Sequence, residues 1–341
     1  MLDYIWNLTD LKNIQKNNIK VFSCFHCGGG STMGYKLAGC DVLGGVEIDP
    51  KIMEMYRKNH NPKHSFLMGV QDFNKIPLDK IPSELFELDI LDGSPPCSSF
   101  SMAGSRDSKW GVKKKFREGQ AEQVLDDLFF HFIETARRLQ PKVVISENVT
   151  GMLMGKAKGY VKQINQSFIH AGYTTQLFQM NAAFLGVPQA RERIFFISIR
   201  NDIYKKPIKI IANHQPISVR AAFSRLPKQT GRQLSESSQA RDFYYKLKPG
   251  ESVSKYNNGS GFGQSKLRDN EPSRTVTSAG GYYHFEEPRF LSDAEFFTLQ
   301  SFPQDYNLLG NKAQYVCGMS VPPLMTANIV TQIIPQVFGV I

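Results

Sequence analysis

Residues 20–34 read KVFSCFHCGGGSTMG, an apolar run that leads into three consecutive glycines. The run predicts a buried strand over 20–25, and the residues after the glycines predict a helix. Glycines allow backbone N–H groups to approach a ligand closely where a helix begins. The loop differs from the dinucleotide fingerprint G-x-G-x-x-G because Met33 stands where the third glycine is required. The stretch therefore predicts the first strand, loop and helix of an α/β fold.

The same alternation of apolar runs and helical patterns continues to about residue 200. Further strands are predicted over 42–47, 88–92, 142–146, 174–180 and 193–199. Apolar residues at helical spacing from Val124 to Leu139 predict a helix between the strands at 88–92 and 142–146. Strands that alternate with helices predict a parallel sheet covered on both faces. Ligands bind such sheets at the carboxyl ends of the strands, so residues at those ends are the first candidates for a site.

The composition excludes several classes of protein. The chain has 341 residues, of which 41% are apolar, enough for a substantial core. No apolar run approaches the roughly 18–20 residues that cross a membrane, and the N-terminus lacks the basic-then-apolar pattern of a signal peptide. Five cysteines are too few and too scattered for a disulfide scaffold, which favours a reducing compartment such as the cytoplasm.

The positive charge is concentrated in one segment. The chain carries 41 Lys and Arg against 31 Asp and Glu, a net charge of +10, and residues 200–270 alone hold 14 basic and 5 acidic residues. Such a segment favours a polyanionic partner such as nucleic acid, although a solvated surface insert has the same composition. Helical patterns resume over 292–301 and 321–334. We predict a catalytic and cofactor-binding domain over 1–199, completed by 312–341, and a small inserted domain over 200–311.

The second predicted strand ends in Val46-Glu47-Ile48-Asp49. An acidic side chain at this position can accept hydrogen bonds from two ribose hydroxyls. The glycine loop and Glu47 together predict a site for a nucleoside cofactor without identifying it, and a tight strand–helix turn without a ligand is the alternative.

Cys24 and Cys27 form a C-x-x-C pair, which raises the question of a metal or redox site. A zinc site requires a second pair of ligands, and the other cysteines stand singly at 40, 97 and 317. We therefore favour buried apolar thiols and expect no metal.

Three further strand ends carry reactive side chains. Residues 93–101 read GSPPCSSFS, and the two prolines fix the backbone before Cys97, a candidate nucleophile. The next strand ends in SENV at 146–149, where a buried Glu147 can stay protonated and act as an acid. The last strand opens with VPQARER at 187–193, and side chains two apart on an extended chain point the same way. Arg191 and Arg193 are therefore expected to face one ligand.

Taken together and in this order, the motifs resemble those of the DNA cytosine-5 methyltransferases, and the resemblance covers nearly the whole chain. The matching segments are the glycine loop at 25–30, Glu47, Pro96-Cys97, Glu147-Asn148-Val149, Gln189-x-Arg191-x-Arg193, and two late motifs at 289–303 and 318–323. The resemblance implies an α/β, Rossmann-like sheet that uses S-adenosylmethionine, with a smaller, irregular inserted target-recognition domain. It also implies methyl transfer to carbon 5 of a flipped-out cytosine in a specific duplex DNA sequence.

The resemblance assigns a role to each matching residue. Cys97 would form a covalent adduct at carbon 6, Glu147 would protonate N3, and Arg193 with Arg191 would hold O2. Asn148 and Gln189 would orient these groups. The implied residues for binding S-adenosylmethionine are Phe25, Gly28, Gly30, Glu47, Ile48, Pro95, Ser320 and Val321.

The resemblance also implies where DNA binds. A basic loop over 104–119, with Arg106, Lys113 and Lys114, would close on double-stranded DNA. Further candidates in the inserted domain are Arg232, Arg241, Lys246, Lys255, Tyr244, Tyr245 and Tyr256. The implied protein is a cytoplasmic, nucleoid-associated monomer without a membrane partner, whose cognate restriction endonuclease need not bind it.

The chain departs from the family pattern at four places. Met319 and Val70 stand where Asn and Asp are usual, Ser98 stands where Gln is common, and residues 122–125 lack the usual Asp-x-Arg. Because Cys97, Glu147 and Arg193 are all retained, we expect activity.

Three alternatives remain open at this point. One is cytosine-5 methylation of RNA such as tRNA on the same scaffold. Another is a catalytically weak, methyltransferase-like DNA-binding protein, which Met319 favours. The third, a nicotinamide oxidoreductase, is disfavoured by the missing third glycine and by the Pro-Pro-Cys sequence.

Overall fold

The computed structural model describes residues 3–96, 113–114, 123–124, 127–155, 157–261 and 263–339, with the backbone alone at 113–114 and 123–124. Cys97, Arg106 and most of the predicted basic loop lie outside these residues. The chain divides into two compact units. We call them the sheet unit (Asn13–Met180, Glu192–Ile211 and Ala327–Ile341) and the loop-rich unit (Met1–Lys12, Asn181–Arg191 and Ala212–Thr326).

The six predicted strands all lie close to observed ones, and the other observed strands were not predicted. Thirteen strands are present in the described residues. They are β1 Lys20–Cys24, β2 Asp41–Glu47, β3 His64–Leu67, β4 Ile90–Gly93, β5 Lys113–Lys114, β6 Gln123–Val124, β7 Val143–Val149, β8 Tyr173–Asn181, β9 Gln189–Ala190, β10 Glu192–Arg200, β11 Gln264–Lys266, β12 Ser273–Arg274 and β13 Gly281–Tyr283. Among these, seven form the main sheet in the order β3-β2-β1-β4-β7-β10-β8. This sheet confirms the predicted α/β, Rossmann-like class.

The sheet is parallel from β3 to β7, but β10 runs antiparallel to β7. The prediction of a wholly parallel sheet was therefore wrong at β10. The physical reason is the short connection between β8 and β10, which contains a 3-10 turn at Ala182–Leu185 rather than a crossover helix. A parallel neighbour needs a crossover of about a dozen residues or more.

The α-helices of the described chain alternate with the strands in the sheet unit and continue in the loop-rich unit. They are α1 Gly30–Leu37, α2 Pro50–His60, α3 Val70–Phe73, α4 Leu128–Leu139, α5 Ala157–His170, α6 Val219–Phe223, α7 Gln239–Lys246, α8 Asp293–Gln300, α9 Ala313–Met319 and α10 Pro323–Val337. The predicted helix from Val124 starts later, because Val124 pairs in the short strand β6. No helix of the described residues is long and apolar enough to cross a membrane.

The core of the sheet unit is aromatic and continuous. Phe129 and Phe132 project from α4, and Phe196 comes from β10; all three are buried. The Phe129 ring meets the Phe196 ring edge-on with centroids 5.3 Å apart. Apolar residues on the inner face of α4 thus pack against the sheet.

The loop-rich unit has a core of its own, built around Phe243, Tyr244 and Tyr283. Its bounds differ from the predicted inserted domain, since 181–191 and 312–326 fall within it and 200–211 fall in the sheet unit. Sequence composition identified the irregular, basic segment. It did not show that 181–191 and 312–326, which have regular secondary structure, belong to the same unit.

The N-terminal residues also belong to the loop-rich unit. Trp6 donates from Nε1 to the Ser301 carbonyl at 2.9 Å, and Arg225 forms an ion pair with Asp3. These contacts attach the segment before the first strand to the loop-rich unit, which the sequence pattern did not predict.

A buried ion pair organises the turn into α8. Arg289 donates to both carboxylate oxygens of Glu295 at 2.8 Å, and each side chain is about 2% exposed. Glu295 also completes a capping box with Ser292 at the start of α8. One carboxylate therefore neutralises a guanidinium and caps a helix.

Candidate active site

Four parallel strands, β1, β2, β4 and β7, end at one edge of the sheet unit. Phe25 follows β1, Glu47 ends β2, Pro95 follows β4 and Glu147 lies near the end of β7. The parallel register places these predicted residues along a single edge, where open α/β sheets bind their ligands.

The glycine loop turns sharply through left-handed residues. Phe25, Cys27 and Gly29 have φ values of 57°, 47° and 72°. A Cβ on Gly29 would lie 2.3 Å from Nε2 of His60, so a side chain does not fit at this position. The N–H groups of these residues bind within the protein: Phe25 donates to the Val46 carbonyl at 3.0 Å, Cys27 to Glu47, and Gly29 to the His26 carbonyl at 2.8 Å. The left-handed residues therefore tighten the loop against the end of β2.

Glu47 ties the loop to the end of β2. Its Oε2 accepts from the Cys27 N–H at 3.1 Å, and its Oε1 accepts from the N–H groups of Ile48 and Asp49 at 2.9 and 3.0 Å. Burial raises the pKa of Glu47, and these three donors oppose the shift. Each carboxylate oxygen has two lone pairs, so acceptor capacity remains for a ligand hydroxyl.

Ile48 lies beside the start of α3. A Cβ built on Gly69 would stand 3.7 Å from Cδ1 of Ile48 and 3.8 Å from the Asp72 carboxylate. Asp72 is exposed and pairs with Lys75 at 2.8 Å. Ile48 and Asp72 therefore both lie near Gly69, and Asp72 is the residue that could replace the family's missing Asp at Val70.

Glu147 and Arg193 form an ion pair across β7 and β10. Nε of Arg193 is 2.8 Å from Oε1 of Glu147, and the side chains are 14% and 12% exposed. Burial lowers the pKa of Arg193, and the Glu147 charge counters that effect. The pair can present a carboxyl group and a fixed cation to one polar ligand.

Asn148 connects β7 to the segment before the predicted nucleophile. Its Nδ2 donates to the Pro95 carbonyl at 3.0 Å, and its Oδ1 accepts from the Val149 N–H at 2.9 Å. Asn148 is buried. The hydrogen bond holds the chain two residues before Cys97, which itself lies outside the described residues.

Gln189 and Arg191 lie in the loop-rich unit, where both bind backbone. Gln189 donates to the Leu299 carbonyl at 3.0 Å and accepts from the Val276 N–H at 2.9 Å. Arg191 donates to the carbonyls of Val276 and Gly318, each at 3.2 Å. Arg191 and Arg193 therefore have different partners, contrary to the expectation that they face one ligand.

Ser320 and Val321 also lie in the loop-rich unit, and both are buried. The Ser320 carbonyl accepts from Nε2 of Gln300 at 2.8 Å. Met319 is the last residue of α9, directly before them.

The predicted DNA contacts differ in exposure. Lys246 is exposed, and Arg232 is exposed with its guanidinium 4.5 Å from the Phe290 ring centre. Lys255 pairs with Glu251, and Arg241 lies over the ring of Tyr245. Lys113 and Lys114 form one strand of the short pair with β6.

Tyr245 and Tyr256 are exposed, whereas Tyr244 is 3% exposed and packs edge-on against Tyr283. The prediction that Tyr244 contacts DNA was therefore wrong, because it belongs to the core of the loop-rich unit.

A basic cavity was missed by sequence reasoning. It has a volume of about 330 Å³ and is lined by Lys266, Arg268, Arg274 and Glu271, with Gly250. Arg274 belongs to β12, which pairs with β9 next to Arg191. The sequence showed an excess of basic residues in this segment, but it did not show that Lys266, Arg268 and Arg274 line one cavity.

A second missed feature is a buried carboxylate. Asp92 accepts hydrogen bonds from the hydroxyls of Ser23, Ser31 and Tyr35. It belongs to β4, which leads toward Cys97.

The described cysteines, at 24, 27, 40 and 317, are free thiols. Burial strongly raises the pKa of Cys24, which disfavours its thiolate. No cluster of three or more His, Cys, Asp or Glu side chains that could hold a metal ion is found in the described ranges.

Comparison with known proteins shows the family to which the chain belongs. The family described as C-5 cytosine-specific DNA methylase matches residues 19–335. The chain is 28% identical to the type II methyltransferase M.NgoFVII of Neisseria gonorrhoeae, over 95% of this chain and 88% of that protein. It is 29% identical to the type II methyltransferase M1.HphI of Haemophilus parahaemolyticus, over 89% of this chain and 84% of that protein.

Solved structures show the same fold. The crystal structure of a putative DNA modification methyltransferase encoded within an E. coli prophage superposes with a TM-score of 0.71 at 19% identity, covering 94% of this chain and all of that one. A Spodoptera frugiperda DNMT2 mutant superposes with a TM-score of 0.63 at 16% identity, covering 94% of this chain and 99% of that one.

Proposed function

Because the chain belongs to the C-5 cytosine-specific DNA methylase family, we propose that it transfers the methyl group of S-adenosylmethionine to carbon 5 of cytosine in a specific duplex DNA sequence. The observation that carries the proposal is the Glu147–Arg193 pair, held 2.8 Å apart beside the strand that leads to Cys97. An acid and a fixed cation next to a nucleophile are the groups that this reaction needs from the protein.

The chemistry requires covalent activation because carbon 5 of cytosine is a poor nucleophile. The Cys97 thiolate would bond to carbon 6, the electrons of the carbon 5–carbon 6 double bond would shift toward N3, and Glu147 would donate a proton to N3. Arg193 would hold O2 and keep Glu147 oriented. Carbon 5 would then take the methyl as the bond from that methyl to sulfur breaks. Loss of the carbon 5 proton to a base, cleavage of the bond between Cys97 and carbon 6, and return of the N3 proton to Glu147 would restore the ring.

The residues around the glycine loop fit S-adenosylmethionine, which supplies an electrophilic methyl group on a sulfonium. Glu47 has free acceptor capacity for the ribose hydroxyls, and Ile48 offers an apolar surface for adenine. The methionine end of the cofactor would lie against the turn at Phe25 and Cys27. Gly28, Gly30 and Pro95 would line this side. Ser320 and Val321 remain proposed cofactor contacts from the sequence.

Gln189 and Arg191 act as positioning residues in this proposal. Both anchor backbone of the loop-rich unit, and the next residues of the chain lead to Arg193. Asn148 would likewise position Cys97, because its side chain donates a hydrogen bond to the Pro95 carbonyl, two residues before the nucleophile. A cytosine stacked in a duplex cannot reach these groups, so the base must be flipped out.

The DNA backbone would lie on the basic surface of the loop-rich unit. Lys266, Arg268 and Arg274 converge on one cavity and would take a phosphate, with Arg232 and Lys246 as additional exposed contacts. Arg241, Lys255 and the loop with Arg106, Lys113 and Lys114 remain proposed contacts from the sequence.

The decisive experiment is trapping on duplex DNA that contains 5-fluorocytosine. Because fluorine cannot leave as a proton does, the enzyme should form a denaturant-stable adduct that requires S-adenosylmethionine and Cys97. Cys97→Ser should form no adduct and no product while duplex binding persists. Methyl transfer to tRNA but not to duplex DNA would overturn the DNA assignment, and no adduct on either would overturn catalysis.

The relatives named as type II methyltransferases suggest a restriction–modification setting. We propose a monomer acting on nucleoid DNA in the cytoplasm, with a cognate endonuclease that shares the DNA sequence and need not contact it. Bisulfite sequencing of DNA from cells that express the protein would give that sequence, and light scattering would give the oligomeric state.

A further inference from the structure

The basic cavity of the loop-rich unit also contains an acidic residue. Lys266, Arg268 and Arg274 line the cavity together with Glu271, and its volume is about 330 Å³. Converging cations favour a phosphate group, whereas a carboxylate in the same place opposes it through the repulsion of like charges. Phosphate binding alone therefore does not account for Glu271.

The backbone of Glu271 is held by hydrogen bonds to the start of α6. The Glu271 carbonyl accepts from the Val219 N–H at 3.0 Å, and the Asp269 carbonyl accepts from the Arg220 N–H at 2.8 Å. The side chain of Glu271, in contrast, is 51% exposed. Its carboxylate is thus kept at the cavity and can still change its partner.

Arg268 is the cationic partner of Glu271. Nη1 of Arg268 lies 3.3 Å from each carboxylate oxygen, longer than the roughly 2.7–2.9 Å of a close charge-assisted hydrogen bond. Both side chains are about half exposed. An exposed pair at this distance contributes little to stability, so folding does not require it.

The other side of Arg268 rests on backbone. Its Nε donates to the Pro249 carbonyl at 3.3 Å. Gly250 has a φ of 87°, and a Cβ at this position would lie 2.2 Å from the same Nε, so the guanidinium packs directly against the chain. A phosphate could replace Glu271 at Nη1 while the contact with Pro249 is kept. Arg268 can therefore exchange one anionic partner for another without leaving the cavity.

Lys266 and Arg274 reach the cavity from two different strands. Lys266 belongs to β11, and its ammonium lies 3.9 Å from the ring centre of Tyr244. Arg274 belongs to β12, which pairs with β9. An aromatic ring positions a cation without neutralising it. The strands thus hold two further cations at the place where Glu271 meets Arg268.

We propose that Glu271 limits the affinity of the loop-rich unit for DNA by competing with a backbone phosphate for Arg268. This inference rests on the proposed function. In the free protein the carboxylate holds Arg268, and a phosphate that enters the cavity must displace it. Phosphate contacts carry no sequence information, and they supply almost all of the affinity for non-target DNA. Glu271 therefore makes release from non-target sequences easier.

The test compares duplex binding by the full chain and by Glu271→Gln, which keeps the size of the side chain and removes its charge. Fluorescence anisotropy with a labelled duplex of mixed sequence, at several salt concentrations, measures the affinity and its salt dependence. We expect Glu271→Gln to bind about three- to tenfold more tightly at low salt. The slope of log affinity against log salt should become steeper by up to about one.

Glu286 provides a matched control. Its side chain is 57% exposed and pairs with Arg220 at 2.6 Å in the same unit, but it does not line the cavity. Glu286→Gln removes the same charge and should change duplex affinity by less than about twofold, because exposed charges at a distance are screened.

A double variant tests the competition directly. In an Arg268→Ala background, the guanidinium for which Glu271 competes is absent. Most of the gain from Glu271→Gln should then be lost, which a double-mutant cycle measures as coupling between the two residues.

Weaker or unchanged duplex binding by Glu271→Gln would overturn the inference, since the carboxylate would then orient Arg268 or take no part. An equal gain in Glu286→Gln, or a gain that persists with Arg268→Ala, would overturn it as well, because it would show a general effect of net charge. Failure of the wild-type protein to bind duplex DNA would contradict the proposed function and, with it, this inference. The two failures are therefore distinguishable in one set of titrations.

Discussion

In the loop-rich unit the buried acid Glu295 faces a guanidinium, whereas in the sheet unit the buried acid Asp92 faces three hydroxyls. Both carboxylates are almost fully buried and accept hydrogen bonds. The donors to Glu295 include a cation, whereas the described donors to Asp92 are neutral. The comparison shows two ways of stabilising a buried carboxylate, by a counter-charge and by hydroxyl donors alone.

Glu147 and Arg193 lie between these two cases. The pair is neutral overall, as in the loop-rich unit, but it is partly accessible and stands at the ligand edge of the sheet. A pair of this kind can exchange its partner for substrate, which a fully enclosed pair cannot do.

The largest expected effect is on Glu147. Glu147→Gln keeps an acceptor for Arg193 but cannot protonate N3, so we expect methyl transfer to fall by about 10² to 10⁴-fold. Tritiated methyl transfer measures the rate, and gel shift measures duplex affinity, which should change little. Asp202→Asn, which alters an exposed acid paired with Arg200 at the other end of β10, should leave the rate unchanged. A parallel loss of rate and duplex affinity would argue for a structural role.

Next in size is the loss of the enclosed ion pair. Glu295→Gln leaves Arg289 buried with a weaker partner, and we expect the free energy of unfolding to fall by about 3 kcal/mol. Urea denaturation measures the change. Glu271→Gln, which removes the half-exposed partner of Arg268, should cost less than about 1 kcal/mol. Similar costs for both variants would contradict the contrast between buried and exposed pairs.

Asp92 should give stability a distinctive pH dependence. The folded-state pKa is raised to about 6 from an ordinary value of 3.8, so between these pH values the folded protein holds a proton that the unfolded chain has lost. The contribution of Asp92 to stability is therefore present at low pH and is lost as pH rises to 6. The unfolding free energy of Asp92→Asn relative to wild type should thus increase by on the order of 2 kcal/mol from pH 4 to pH 6.

Subtracting the wild-type curve is essential for that measurement. Burial lowers the pKa of His26 to about 4, and this group favours the folded state as pH rises over much of the same range. Its contribution is shared by both proteins and cancels in the difference. A difference that stays constant from pH 4 to pH 6 would show that Asp92 has an ordinary pKa.

The smallest effect is expected at the basic cavity. Lys266→Ala should weaken duplex binding only a few-fold but reduce the slope of log affinity against log salt by about one. Fluorescence anisotropy at several salt concentrations measures both quantities. Lys58→Ala, at an exposed position on α2 of the sheet unit, is the control and should change neither. An unaltered slope in Lys266→Ala would exclude a phosphate contact at this residue.

Local sequence predicted the fold where a short apolar run is followed by a clear turn or helix signal. β1 and β2 were predictable because each is such a run, followed by the glycine loop and by Asp49-Pro50 respectively. β3 was missed because His64–Leu67 is short and partly exposed, without a periodic pattern. The antiparallel direction of β10 could not be predicted either, because the hydrophobic pattern of a strand does not indicate the direction in which it runs in the sheet.

The sequence identified individual site residues, but it did not predict their hydrogen-bond partners. Glu147 and Arg193 were identified by motif, whereas the partners of Arg191 lie 85 and 127 residues away in the chain. The donors to Asp92 are likewise distant in sequence, with Ser23 69 residues away. Such contacts depend on topology, which local patterns do not encode.

The hydrogen bond from Trp6 to the Ser301 carbonyl has a spectroscopic consequence. The chain contains two tryptophans, and the other, Trp110, belongs to the segment after Cys97. Trp6 is buried, so its emission reports on unfolding of the loop-rich unit. A Trp6→Phe protein would have a single tryptophan, in the segment proposed to close on DNA, and its emission would report on DNA binding without an added label.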